Sequence, residues 1–354
     1  MLFIIRLLNY LLLLLSSGGL MNEAIDAPVD CSVLANDSLF QNPIHMSGPD
    51  PWVLQVDDEY YLTFTTGSNV TLHKSSKMSD LSGMKSQVVW KPPVSGPNSR
   101  NIWAPEIHSI DGKWYIYYAA DDGDNYNHRM FVLENEADDP FSNTWVDRGM
   151  LKLPDDKWAI DGTIFEHRGQ HYFLWSGWEG DENVRQDIYI CKMKDPLTPA
   201  GERILLTKPE LSWETNNVSP IVTEGPQVLK QGDKIFIVYS AGGCWTDGYA
   251  LGQLTADTNS DLLTPESWLK SEQPVFSNYP EASAYGPGHN SFFKSKDGTE
   301  DWIIYHANPE SGQGCGRFRS IRIQPFKWDK KGYPVFGRPY PLSKPLIRPS
   351  GEYY

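Results

Sequence analysis

Three acidic residues occupy one recurring place in this sequence. Asp50 lies in GPDPWVL, Asp161 in IDGTIF and Glu224 in TEGPQV, each just ahead of a short apolar run. Carboxylates gathered away from water raise one another's pKa, so one can keep a proton while another stays ionised. Hydrolysis of a glycosidic bond needs that division: an acid for the leaving oxygen and a base for the attacking water. Clustered acids can also hold a metal, the other chemistry open to them.

Taken singly, each residue has an ordinary explanation. Asp-Pro and Asp-Gly favour turns, and Asp161-Gly162 could close a hairpin between WAI and TIF. Glu224 alone would be a surface acid, although Gly225-Pro226 fixes the backbone behind it. Their places in a repeat decide the matter.

Five segments share one pattern: GPDPWVLQVDDEYYLTFT, WAPEIHSIDGKWYIYYA, AIDGTIFEHRGQHYFLW, EGPQVLKQGDKIFIVYS and GPGHNSFFKSKDGTEDWIIYH. Each reads as a strand, a tight turn and a second, strongly apolar strand. Aligned on Val53, Ile107, Ile164, Val228 and Phe292, they are separated by 54, 57, 64 and 64 residues. Each interval has room for four short strands, and helical periodicity is scarce. The pattern predicts an all-β, five-bladed β-propeller with four antiparallel strands per blade and the first strand innermost. A two-sheet sandwich is the rival, which the even recurrence of one unit disfavours.

In a propeller the innermost strands begin around a shared axis. Three places before each aligned residue stand Asp50, Ala104, Asp161, Gly225 and His289, with Glu224 one place earlier in its copy. The hairpin turns are expected later, at Asp57-Asp58, Asp111-Gly112, Arg168-Gly169, Gln231-Gly232 and Asp297-Gly298. Asp161 therefore sits in the slot of Asp50 and not in a turn. Glu106, two places beyond Ala104, reads better as part of a structural ion pair or hydrogen bond.

Aromatic residues make up 13% of the chain, and Trp103, Trp158, Trp175, Trp178 and Trp245 fall near strand starts, where an indole could stack on a sugar ring. Trp103, beside APE, and Trp178, in WSGWEGDE, are best placed. The formal net charge is −14 and no basic run could follow a phosphate backbone, which argues against nucleic acid. Residues 2–15, LFIIRLLNYLLLLL, precede SSGG and read as an export signal, giving a signal over 1–26 and one catalytic domain over 27–354. The stretch is short for a membrane span, and a retained anchor is the competing reading. The expected location is extracellular. Cys31, Cys191, Cys244 and Cys315 match no zinc spacing; disulfides and isolated buried thiols are both open.

The ordered set GPDPWV, IWAPEIH, IDGTIF, TEGPQV and YGPGHNSF, between about residues 40 and 345, resembles glycoside hydrolase family 43. WAIDGTIFEHRGQHYFLWSGW and GPGHNSFFKSKDGTEDWIIYHANP resemble its branch of secreted exo-acting α-L-arabinofuranosidases. The resemblance implies Asp50 as general base, Asp161 as pKa modulator and Glu224 as general acid, acting by single displacement with inversion. That implies carboxylates roughly 6.5–9.5 Å apart to admit a water. It also implies that Arg319 of CGRFRSIRIQPFKW reaches the sugar, whereas Arg317 and Arg322 face solvent or brace blades. His289 would lie on the axis beside a calcium or other ion held mostly through water, a water-bonded histidine being the competing reading. No cofactor is expected for the chemistry itself. The implied substrates are plant cell-wall arabinan, arabinoxylan or derived oligosaccharides. β-Xylosidase and endo-arabinanase activities use the same acids, and a non-catalytic carbohydrate-binding propeller would need only the aromatics.

Overall fold

The computed structural model describes residues 36–353; the expected signal and Cys31 lie outside them. Twenty strands form five four-stranded antiparallel blades. The innermost strands are Trp52–Val56, Arg100–Ile110, Ala159–His167, Ile221–Gln231 and Tyr285–Lys294. The second strands, such as Lys113–Asp121 (KWYIYYAAD) and Lys234–Ala241 (KIFIVYSA), are buried along nearly their whole length. They are apolar on both faces because each blade is covered by a neighbour on either side, unlike a half-exposed sheet that would alternate.

Five apolar clusters fill the five spaces between neighbouring blades. Leu72, Ile107 and Ile116 lie between the first and second, and Tyr117, Phe173 and Trp175 between the second and third. Leu174, Ile237 and Leu254 join the third to the fourth, and Val238, Ile303 and Tyr305 the fourth to the fifth. Leu62, Ile304 and Ile323 join the fifth back to the first, so the ring is a closed β-propeller. Leu39–Phe40 pairs with Leu346–Ile347 across the same seam, and Glu352 accepts the N–H groups of Met78 and Ser79 at 2.7 and 3.1 Å. A short parallel pairing of Arg185 and Gln186 with Ile221 and Val222 also links the third and fourth blades.

The hairpin turns lie far from the acids, as the repeat requires. Val56 pairs with Glu59, Ile110 with Lys113 and His167 with Gln170, leaving the expected two-residue turns between them. The fourth falls at Gly232-Asp233, one residue later than Gln231-Gly232, because Gln231 still pairs with Lys234. The glycine thereby takes the first turn position, where φ is +57°. Each inner strand runs away from one face of the propeller and the second strand returns to it. The start of the first strand and the connection after the second therefore share a face.

Candidate active site

One backbone conformation recurs at the five slots. Asp50, Ala104, Asp161, Gly225 and His289 all have left-handed φ, at 58°, 42°, 55°, 56° and 46°. In the four later blades the ladder breaks register there, between Trp103 and Glu106, Ile160 and Thr163, Glu224 and Gln227, and Gly288 and Ser291. A bulge with a left-handed residue takes that position out of the ladder and re-aims its side chain. The conformation costs a non-glycine residue roughly 1–2 kcal/mol. Asp161 is almost wholly buried in it, and so is Ala104, which has no polar side chain to compensate.

Asp50 is held as an anion. Arg319 Nη1 donates to its Oδ1 at 2.8 Å and Thr65 Oγ1 donates to its Oδ2 at 2.6 Å. The Ala104 N–H donates to Thr65 Oγ1 at 2.7 Å, leaving the threonine proton to the carboxylate. The left-handed slot of the second blade thus supplies an N–H where its neighbours supply side chains. His289 Nδ1 lies 3.3 Å from Asp50 Oδ1. His306 Nδ1 accepts the Asp50 N–H at 3.1 Å, so that nitrogen is unprotonated and its 3.6 Å approach to Oδ1 is no charge pair. Burial favours the neutral acid, but Arg319, His289 and Thr65 outweigh it and hold the carboxyl well below the usual range.

Asp161 and Glu224 lie in the opposite electrostatic setting. Burial, reinforced by the charges of Glu224 and Asp50, pushes Asp161 up to about 7, against His289 and the Gly225 N–H that donates to its Oδ2 at 3.0 Å. Burial also raises Glu224, opposed by the Tyr249 hydroxyl that donates to its Oε1 at 2.8 Å. The two acids titrate as a pair that keeps a proton into the neutral range. Burial lowers His289, but Asp161, Asp50 and Glu224 more than offset this and raise it. Gly225 makes room for that ring: a Cβ there would lie 3.2 Å from the imidazole.

The acids line a cavity of about 600 Å³. Every connection between a second and third strand reaches it, through Thr65, Asn125, Asn183, Trp245 and Cys315 in blade order. Trp103 and Trp158 form an inner aromatic wall. Trp178 does not line the cavity, contrary to the expectation for a sugar-stacking residue. It is buried behind Trp158, the two indoles stacked at 4.8 Å, so Trp158 presents the face and Trp178 supports it. Trp175 is likewise buried, between blades. Of the three arginines, Arg319 reaches Asp50, Arg322 bonds the carbonyls of Ala282 and Ser283, and Arg317 lies over Phe318. Glu106 binds His108 at 3.2 Å and Gln227 at 2.5 Å, a structural network.

Residues 40–334 match the family described as Glycosyl hydrolases family 43, across most of the chain. This chain belongs to glycosyl hydrolases family 43. An extracellular exo-α-(1→5)-L-arabinofuranosidase of Streptomyces avermitilis is 37% identical over 322 residues, covering 88% of this chain and 66% of that protein. The chain thus spans just under two thirds of that relative. One of the same description from Streptomyces chartreusis is 37% identical, covering 76% of this chain and 82% of its own. The crystal structure of an α-L-arabinofuranosidase from Lactobacillus brevis superposes with a TM-score of 0.81 at 34% identity, covering 86% of this chain and 98% of that one.

Within this family 43 fold, the surroundings of His289 do not fit a calcium held by protein atoms. The ring offers nitrogen to an oxygen-preferring ion, and three carboxylates favour its protonated form, which cannot ligate. Among the described residues no group of three or more His, Cys, Asp or Glu is arranged to hold a metal. Sequence reasoning missed Thr65, Tyr249 and His306, which touch the acids without occupying the repeated slot. Thr65 and His306 had a discoverable signal, since both lie at or just after second-strand ends, which return to the acids' face. Cys244 and Cys315 form a disulfide, and Cys191 is a buried free thiol.

Proposed function

We propose that this chain is an extracellular inverting glycoside hydrolase that removes terminal arabinofuranose from α-1,5-linked arabinan or its oligosaccharides. Asp50, ionised by Arg319, takes a proton from a water as that oxygen attacks the anomeric carbon. The bond to the leaving oxygen breaks on the opposite side, and Glu224 delivers its proton there. Asp161 shares that proton's titration with Glu224 and orients it through the Gly225 N–H. Trp103 and Trp158 offer apolar faces to the sugar, and Arg319 lies within reach of its hydroxyls.

The observation that carries this reading is the contrast of one cation-bound carboxylate with two proton-retaining acids in a single aromatic-lined cavity. The substrate and the extracellular location are supported by the descriptions of the two Streptomyces relatives. The apolar run of residues 2–15 supports an export signal over 1–26, followed by one catalytic domain over 27–354, and arabinan or arabinoxylan is the natural polymer proposed.

Proton NMR of a fresh digest of α-1,5-arabinotriose tests the reaction. Early appearance of β-arabinose with arabinobiose is expected. Initial α-arabinose would overturn single displacement, products from internal cleavage would point to an endo-arabinanase, and hydrolysis of xylobiose alone to a β-xylosidase. Binding without turnover would leave a carbohydrate-binding propeller.

A further inference from the structure

Of the inner aromatic wall, Trp158 is buried and Trp103 half-buried, but a third indole on the cavity is exposed. Trp245 is 41% exposed, the only exposed tryptophan among the described residues, and it lines the same cavity as the acids. It stands on the connection that follows the second strand of the fourth blade, on the same face as the start of the inner strand bearing Glu224. In the proposed reaction the terminal sugar fills the buried end beside the acids. The remainder of the substrate leaves through the open mouth on the side of the proton donor.

Trp245 is also built in rather than loosely exposed. Its indole packs against Gly243, where a Cβ would come within 2.7 Å of the ring, so only glycine permits this seat. The next residue, Thr246, donates its N–H to the Gly243 carbonyl at 3.0 Å and accepts from Asn216 Nδ2 at 2.7 Å. Cys244, immediately before the indole, is joined to Cys315 on the corresponding connection of the fifth blade, and both cysteines line the cavity. Asp247 ties the same two loops again, accepting from the Gly312 N–H at 2.9 Å and from the Ser311 hydroxyl. An exposed aromatic surface fixed on both sides binds a partner without first losing conformational freedom.

We infer that Trp245, tethered by the Cys244–Cys315 disulfide, is the platform of the leaving-group subsite, stacking on the sugar that follows the scissile bond. The inference rests on the proposed function and adds which residue recognises the remainder of the chain. Oligosaccharides are then distinguished from substrates with no second sugar by this indole, and the disulfide keeps it in register with Glu224.

The test compares α-1,5-arabinotriose with α-L-arabinofuranosyl fluoride, which carries no leaving-group sugar. W245A is expected to lower kcat/KM for the triose about tenfold more than for the fluoride, as loss of one stacked ring implies. W245F, which keeps an aromatic ring at this position, should recover most of that loss. C244S/C315S should shift the same ratio in the same direction by about threefold, through a higher KM for the triose. Equal losses on both substrates, or an unchanged triose KM in folded W245A, would overturn the subsite while leaving the proposed function intact. A wild-type protein inert on both substrates would overturn the function, and the subsite with it.

Discussion

Asp50 and Asp161 occupy the same slot of their blades, with φ of 58° and 55°, yet their surroundings drive their protons in opposite directions. Asp50 receives Arg319 and Thr65, and its carboxyl stays ionised. Asp161 receives one backbone N–H and faces two other acids, and it holds a proton to about pH 7. The propeller therefore decides where a carboxylate stands, and residues outside the repeated slot decide what it does. Acid and base chemistry can arise from one repeated backbone element only because the connecting loops differ between blades.

Removing the carboxylates tests this contrast most severely. D50A is expected to lower kcat on arabinotriose by about 10⁴-fold, and D161N by about 10²-fold, since in the proposed function one is the base and the other a modulator. Equal losses in steady-state assays would erase the distinction. R319M should cost about 10²-fold at neutral pH and raise the pKa of Asp50. Because the base works only when ionised, activity should then fall on the acid side at a pH where the wild type is still active.

On the alkaline side, the proton shared by Asp161 and Glu224 must be present, so wild-type kcat/KM should fall as pH climbs through about 7. The Tyr249 hydroxyl favours ionised Glu224, so Y249F should move this limb upward by about 0.5 pH. A limb that stays in place or moves down would remove Tyr249 from the acid's control. The smallest effect concerns the slot that carries no acid. A104G should stabilise the fold by about 0.5 kcal/mol, the relief of left-handed strain exceeding the entropy added to the unfolded chain. Thermal melting should register a rise of about 1–2 °C, and A104V a fall.

Much of this was legible because the propeller is written as a repeat. Val53, Ile107, Ile164, Val228 and Phe292 set a register that gathered Asp50, Asp161 and His289 from distant segments. The shared left-handed backbone was not legible, because Ala104 and His289 carry no glycine-like mark. Trp178 was misjudged because sequence gives the loop but not which of two stacked indoles faces the cavity. Tyr249 was invisible for a related reason: it acts through a single hydrogen bond to Glu224 from a loop whose length differs between copies. The disulfide could not be read from spacing, since Cys244 and Cys315 meet only once neighbouring blades are docked.

The seam that closes the ring passes beside Asp50. This residue belongs to the first blade, but Arg319, His289 and His306 all come from the last. Burial of Asp50 and the cation that offsets that burial are therefore supplied together, by contacts between the two ends of the repeat. The surroundings of Asp50 are complete only when the final blade docks against the first. The contact that closes the ring also completes the site, so opening this seam and dismantling the surroundings of Asp50 are a single event.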